Sequence, residues 1–173
     1  SRGLGDVYKR QGGGWLAELG FSDFAGSTLV HSTGGAAALA GIMLLGARYG
    51  RFGSKGEAKA IKPFAASSIP LVTVGVFILW LGWFGFNGGS QLAIGTFDDA
   101  VAVSSIFINT NLAAAGGVMA AAIITRLMFG KTDVIQMLNG AIGGLVAVTA
   151  EPLAPSPLAC LLYTSDAADD AGS

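Results

Sequence analysis

The sequence predicts an all-α integral membrane protein, a polytopic helix bundle with about four transmembrane helices. Three observations carry this. Charged residues make up only 12% of the 173-residue chain and hydrophobic ones 52%, whereas a water-soluble domain carries about 25% charged residues. Four stretches lack Asp, Glu, Lys and Arg altogether: Phe24–Gly46, about Ser67–Leu92, about Val101–Thr125 and Val134–Ala150. A helical crossing needs about 20 apolar residues. The charges that separate these stretches also alternate in kind from one connection to the next. The 27 glycines and the alanine runs fit the same class, because membrane helices pack through small residues.

Both chain ends stand apart from this body. Residues 1–11 (SRGLGDVYKRQ) and 161–173 (LLYTSDAADDAGS) differ from it in polarity and periodicity, and they look like non-native, adapter-like additions. The membrane domain is then 12–157. The first span is the 23-residue stretch Phe24–Gly46, with Glu18 and Asp23 before it. Arg48, Arg51, Lys55, Lys59 and Lys62, with the single acid Glu57, follow. The second span carries Pro70 near its start, where a helix tolerates proline best. Asp98 and Asp99 read as a solvated loop between spans two and three. Arg126, Lys131 and Asp133 separate three and four. The fourth stretch is the weakest, 17 residues ending at Glu151-Pro152; a buried core helix is its alternative. Every Lys and Arg of the body falls on one side, which positive-inside bias makes cytoplasmic. The net charge of -1 says nothing here, since distribution matters more than sum. The lone Cys160 cannot form an internal disulfide.

His31 is the ionisable residue inside the first span. At helical spacing its stripe holds Ser27, Gly34, Gly35 and Ala38, all small. One reading is a buried histidine hydrogen-bonded to a neighbouring helix. The other is functional, since charge at membrane depth is costly and an intramembrane ionisable group marks a pathway. A neutral imidazole both donates and accepts, which suits passing a proton or a small polar molecule.

The stretch LWLGWFGFNGGS (79–90) closes span two at its outer end. Trp83, Phe86 and Ser90 share one face if the helix continues through Gly88-Gly89. Aromatic faces attract a desolvating cation, and a hydroxyl can replace one of its waters. An interfacial aromatic belt explains Trp80 and Trp83 equally well. Asp23 reads as a structural cap over the amides of Ala25 and Gly26. Asn109 and Asn139 read as interhelical hydrogen-bond formers. GKTD (130–133) lacks the preceding glycine of a phosphate loop.

DFAGSTLVHSTGGAAALAG, GWFGFNGGS and NGAIGGLVAVTA together resemble the ammonium transporter family (Amt/Mep/Rh), with three motifs in order and a likeness covering nearly all of 12–157. The resemblance implies an ammonium-transporter fold of about eleven helices, of which this chain holds roughly the fifth to eighth. It also implies a homotrimer with one pore per subunit and a cytoplasmic PII-type regulator. His31 would then be one of two facing histidines in an apolar pore. Phe86 and Ser90 would belong to the outer gate and ammonium recruitment site, and Asp23 would be structural. Two departures stand out. Gln11, not tryptophan, precedes Gly12–Gly14, with Trp15 on their other side. The partner histidine and a second gate phenylalanine lie on helices this chain lacks.

The expected function is therefore that of a fragment of a membrane channel or transporter for ammonium, ammonia or methylammonium. The isolated fragment is expected to be inactive. It needs the lipid bilayer of the cell (plasma) membrane, with no metal, other cofactor or nucleic acid. An ammonium sensor, with a signalling domain after the last helix, is the alternative. A membrane enzyme is the weakest rival, because catalysis generally needs two or more cooperating groups and His31 stands alone.

Overall fold

The computed structural model describes residues 18–46, 48 and 65–161. All of its regular structure is helical, with no strand among the described residues. Both adapter-like ends, apart from Leu161, and the basic connection from Arg51 to Lys62 lie outside the described residues. A π-helical turn, Ser27–Ser32, leads into α1, Thr33–Leu45. Then come α2, Ile69–Gly89, α3, Phe97–Phe129, and α4, Val134–Val148. Three crossings are long and apolar enough to span a membrane: Ser27–Leu45, α2 and α3. The chain is a multi-pass membrane protein.

The boundaries show what local chemistry adds to hydropathy. The first span starts at Ser27 rather than Phe24, because Gly26 adopts a left-handed conformation (φ 102°) that ends the preceding turn and that glycine tolerates best. Pro70 sits at the start of α2, and the Ser68 hydroxyl accepts from the Leu71 amide. The largest correction concerns α3. Asp98 and Asp99 are not a loop but the first turn of this 33-residue helix. Thr96 and Asp99 form a reciprocal capping box there, each side chain accepting from the other's backbone amide. Acids also suit the positive end of the helix dipole. Gly130 (φ 72°) ends the helix. At 1.5 Å per residue α3 is about 50 Å long, more than the roughly 30 Å hydrocarbon core. The 15 residues of α4 reach only about 22 Å by the same rise, so the fourth stretch is a shorter apolar helix. Asp133 caps it, accepting from Ile135 and Gln136.

The tightest packing joins α3 to α4. Ala113 and Gly117 on one helix face Gly140 and Gly144 on the other, and all four are buried. A β-carbon added at Gly117 would fall on the Gly140 carbonyl, and one at Gly144 on the Ala113 carbonyl. The two backbones touch, as small residues four apart allow. Asn87 of α2 donates to the Thr110 hydroxyl of α3 at 2.9 Å, with both residues buried. Asn109 donates to the carbonyls of Pro152 and Pro155 at 2.9 and 3.0 Å, holding the segment after α4 against α3. Cys160 donates to the Asn109 carbonyl at 3.2 Å, and burial pushes its thiol above the ordinary value, which favours the protonated donor. Asn139 is exposed instead of buried between helices.

Candidate functional site

The π-helical turn hangs from the C-terminal end of α4. Phe24 N–H donates to the Ala150 carbonyl at 2.6 Å and Ala25 N–H to the Thr149 carbonyl at 3.1 Å. The Ser27 hydroxyl donates to the Val146 carbonyl at 2.7 Å. Beneath the turn lies Asp23, 3% exposed. Its carboxylate accepts from the amides of Ser27 (2.7 Å), Thr28 (3.0 Å) and Leu29 (3.0 Å). The sequence points instead to Ala25 and Gly26. The Ala25 amide is engaged by Thr149, and the left-handed Gly26 brings the next three amides over the carboxylate.

A π-turn is a wider turn than the α-helix, and such turns recur at functional sites. This one carries His31. The imidazole stacks on the indole of Trp83 in α2, with centroids 5.2 Å apart and planes inclined by 20°. Phe86 meets the same imidazole edge-on at 6.0 Å and lies 5.7 Å from Trp83. His31 Nδ1 is buried and has no hydrogen-bond partner among the described residues. The expected small stripe does not pack here, since Gly34, Gly35 and Ala38 are exposed. No residue of α1 is buried among the described residues, so its other faces are as open as this stripe.

Helix α2 does continue through Gly88-Gly89, with Ser90 as its C-cap. Ser90 donates its hydroxyl proton to the Phe86 carbonyl at 2.8 Å. That leaves the oxygen's lone pairs as acceptors, a polarity suited to an N–H donor or a cation. Ser90, Phe86 and Trp83 descend α2 over about two turns, roughly 10 Å, toward His31. The structure thus brings His31 and Phe86 into one cluster, with Ser90 one turn above, while Asp23 stands beneath the turn that bears His31.

Sequence reasoning missed the residue that holds this cluster. Trp83 Nε1 donates to the Thr149 hydroxyl at 2.8 Å. Thr149 lies within NGAIGGLVAVTA, but nothing in its spacing marks it as a partner for a tryptophan on another helix. The two tryptophans also separate: Trp80 stacks with the exposed Phe77 at 6.1 Å, whereas Trp83 turns inward. Among the described residues, no group of three or more His, Cys, Asp or Glu side chains could hold a metal ion.

The sequence pattern of the Ammonium Transporter Family matches residues 7–165. The chain belongs to the ammonium transporter family. It is 47% identical over 149 residues to ammonium transporter Amt2 of Archaeoglobus fulgidus, covering 80% of this chain and 30% of that protein. It is 37% identical over 160 residues to ammonium transporter 1 member 1 of Arabidopsis thaliana, covering 88% and 31% respectively. Among solved structures, a protein named Sensor Amt Protein matches with a TM-score of 0.82 at 35% identity, over 91% of this chain and 37% of its own. Candida albicans Mep2 matches with a TM-score of 0.73 at 32% identity, over 90% and 32%. The chain therefore spans about a third of the length of such ammonium transporter family proteins. These curated relatives are named as transporters and not as enzymes.

Proposed function

We propose that this chain is part of a membrane channel or transporter that conducts ammonium or ammonia through an apolar pore lined by His31. The observation that carries the reading is the His31 ring itself. It is held between Trp83 and Phe86 with a buried Nδ1 left open to a partner beyond the described residues. At the outer end, Ser90 offers an acceptor oxygen to an ammonium ion that is shedding water, and the face of Phe86 one turn below offsets part of the lost hydration. A low-dielectric lumen disfavours the ion, so in this reading ammonium gives its proton to water at the outer end and passes His31 as ammonia. The neutral imidazole can accept at one nitrogen and donate at the other, which suits handing on either ammonia or its proton. Potassium has no hydrogen to donate, and this separates it from ammonium at both stations.

The working unit in this reading is a homotrimer in the plasma membrane, with the basic connections cytoplasmic and open to a PII-type regulator. Methylammonium is a second candidate substrate. In this reading further helices of the parent protein complete the pore, the segment is inactive by itself, and 1–11 and 161–173 are non-native additions.

The test is uptake per assembled trimer in the complete parent protein. His31→Ala should abolish uptake or change its selectivity while assembly persists, and His31→Glu should retain a polar relay with altered selectivity. Unchanged rate and selectivity in His31→Ala would remove His31 from the mechanism. A second reading is an ammonium sensor, favoured by the likeness to the Sensor Amt Protein. A signalling domain after the last helix of the parent gene would decide for it.

A further inference from the structure

We infer that Thr149 is a positioning residue that sets His31 against Trp83, an inference that rests on the pore reading above. Thr149 is fully buried and holds both halves of the stack. Its hydroxyl accepts from Trp83 Nε1 at 2.8 Å and donates to the Leu145 carbonyl at 2.6 Å. A hydroxyl has one proton. With that proton committed one turn back along α4, the oxygen presents a lone pair to the indole in a fixed direction. Meanwhile the Thr149 backbone carbonyl accepts from Ala25 N–H, in the segment that leads into the π-turn bearing His31. One residue therefore sets the rotation of Trp83 through its side chain and the placement of His31 through its main chain.

Such an arrangement has a purpose beyond packing. Without the hydroxyl, the buried indole N–H has no partner at Thr149 and is driven to turn toward any other acceptor. The ring beneath His31 then tilts, and the imidazole loses the flat surface that orients its two nitrogens. Recruitment at Ser90, about two turns away, does not depend on this bond. The defect should therefore fall on the rate of passage and leave ammonium recognition intact.

Two substitutions separate positioning from filling space. Thr149→Val keeps the shape and removes the hydroxyl; Thr149→Ser keeps the hydroxyl and removes a methyl group. In the complete parent transporter, Thr149→Val should lower maximal ammonium flux per assembled trimer about tenfold, the scale set by one withdrawn buried hydrogen bond. The ammonium concentration giving half-maximal flux should hold within about twofold, well under the tenfold that 1.4 kcal/mol represents. Thr149→Ser should stay close to the parent. The Trp83 indole ¹H–¹⁵N resonance, assigned by its loss in Trp83→Phe, should shift in Thr149→Val and stay in place in Thr149→Ser. If Thr149→Val does not assemble, Trp83→Phe removes the donor instead and should show the same fall in flux. Full flux in Thr149→Val, full flux in Trp83→Phe, or Thr149→Ser falling further than Thr149→Val would each overturn the inference. A His31→Ala control in the same assay tells the two failures apart. Inactive His31→Ala beside fully active Thr149→Val rejects the role of Thr149 alone, whereas fully active His31→Ala rejects the pore reading and this inference with it.

Discussion

The imidazole of His31 lies on the indole of Trp83 at a centroid separation of 5.2 Å and an interplanar angle of 20°. The two residues belong to different membrane crossings, so the contact fixes the position of one helix relative to the other as well as the orientation of a ring. A stacked aromatic pair contributes about 0.5–1.5 kcal/mol beyond the area it buries. Trp83→Leu keeps an apolar side chain but gives up that surface and the N–H donor to Thr149. It should lower the thermal stability of the assembled parent protein and reduce ammonium flux more than Trp80→Leu, since Trp80 stacks on exposed Phe77 instead. Equal loss of flux in the two variants would separate the stack from conduction.

Asp23 makes a prediction of the opposite kind. Its buried carboxylate accepts from three consecutive backbone amides, a structural role. Removing a cap typically costs about 0.5–2 kcal/mol, and three buried amides put Asp23→Ala at the upper end of that range or beyond it. The expected result is a lower melting temperature and poor assembly in detergent. Asp23→Asn, which keeps one acceptor oxygen, should assemble better. The selectivity for ammonium over potassium in the trimers that do form should be unaltered. A change of selectivity without loss of stability would assign Asp23 to the pathway.

The class of fold was legible because membrane insertion is written in composition and in uncharged length, and no tertiary contact can override either. Helix ends were less legible because they are set by single side chains. Asp98 and Asp99 look like a solvated loop when only their charge is counted; it is Thr96, three residues before Asp99, that turns them into the first turn of α3. His31, Phe86 and Ser90 could be picked out as polar or aromatic residues at membrane depth. The shared face of Phe86 and Ser90 on α2 was legible from helical spacing. The placement of His31 against it was not, because the segment before the π-turn is held by hydrogen bonds to the end of α4. Thr149 was invisible for another reason, since a hydrogen bond between residues 66 apart in sequence leaves no local pattern. The contact between α3 and α4 lay between these cases. Ala113 and Gly117, and Gly140 and Gly144, have the spacing of small residues that pack closely, but spacing alone does not say which helix faces which.

That contact yields a direct test. A β-carbon at Gly144 would meet the Ala113 carbonyl, and one at Gly140 would meet the Gly117 carbonyl. Neither is the flexible end of a side chain, so the helices must separate. Gly144→Ala and Gly140→Ala should each cost about 1–3 kcal/mol, the usual cost of overpacking. Larger side chains at either position should prevent assembly. Thermal melting of the detergent-solubilised parent would measure this, and unchanged melting in both alanine variants would contradict the close approach.

The alternation of charge makes a topological prediction. Asp98 is exposed in the first turn of α3, and Phe24, Ala25 and Ser27 are hydrogen-bonded to the C-terminal end of α4. Cysteine introduced at Asp98 in a Cys160→Ser background should react with impermeant thiol reagents added outside intact cells. Cysteine at Lys55 or Lys59 should react only after the membrane is opened. Labelling of both connections from the same side would break the alternating order of crossings.

Ser90 provides the last prediction, because its hydroxyl is oriented. The proton points to the Phe86 carbonyl at 2.8 Å, so the oxygen faces its surroundings as an acceptor. An ammonium ion brings four donors and loses water as it reaches this point, so each acceptor it meets replaces part of its hydration. Ser90→Ala removes that acceptor and leaves Phe86, Trp83 and His31 in place. A hydrogen bond to a charged group contributes about 1.5–3 kcal/mol, and 1.4 kcal/mol is a factor of ten. Half-maximal flux should therefore require at least about ten times more ammonium in Ser90→Ala, while maximal flux stays near that of the parent. Ser90→Thr retains the oxygen and the bond to Phe86 and should keep the parent's concentration dependence. The two parameters separate the stations: a shift in half-saturation marks recruitment, and a fall in maximal flux marks passage past His31. A Ser90→Ala protein that keeps its half-saturation and loses maximal flux would move Ser90 from recruitment to passage.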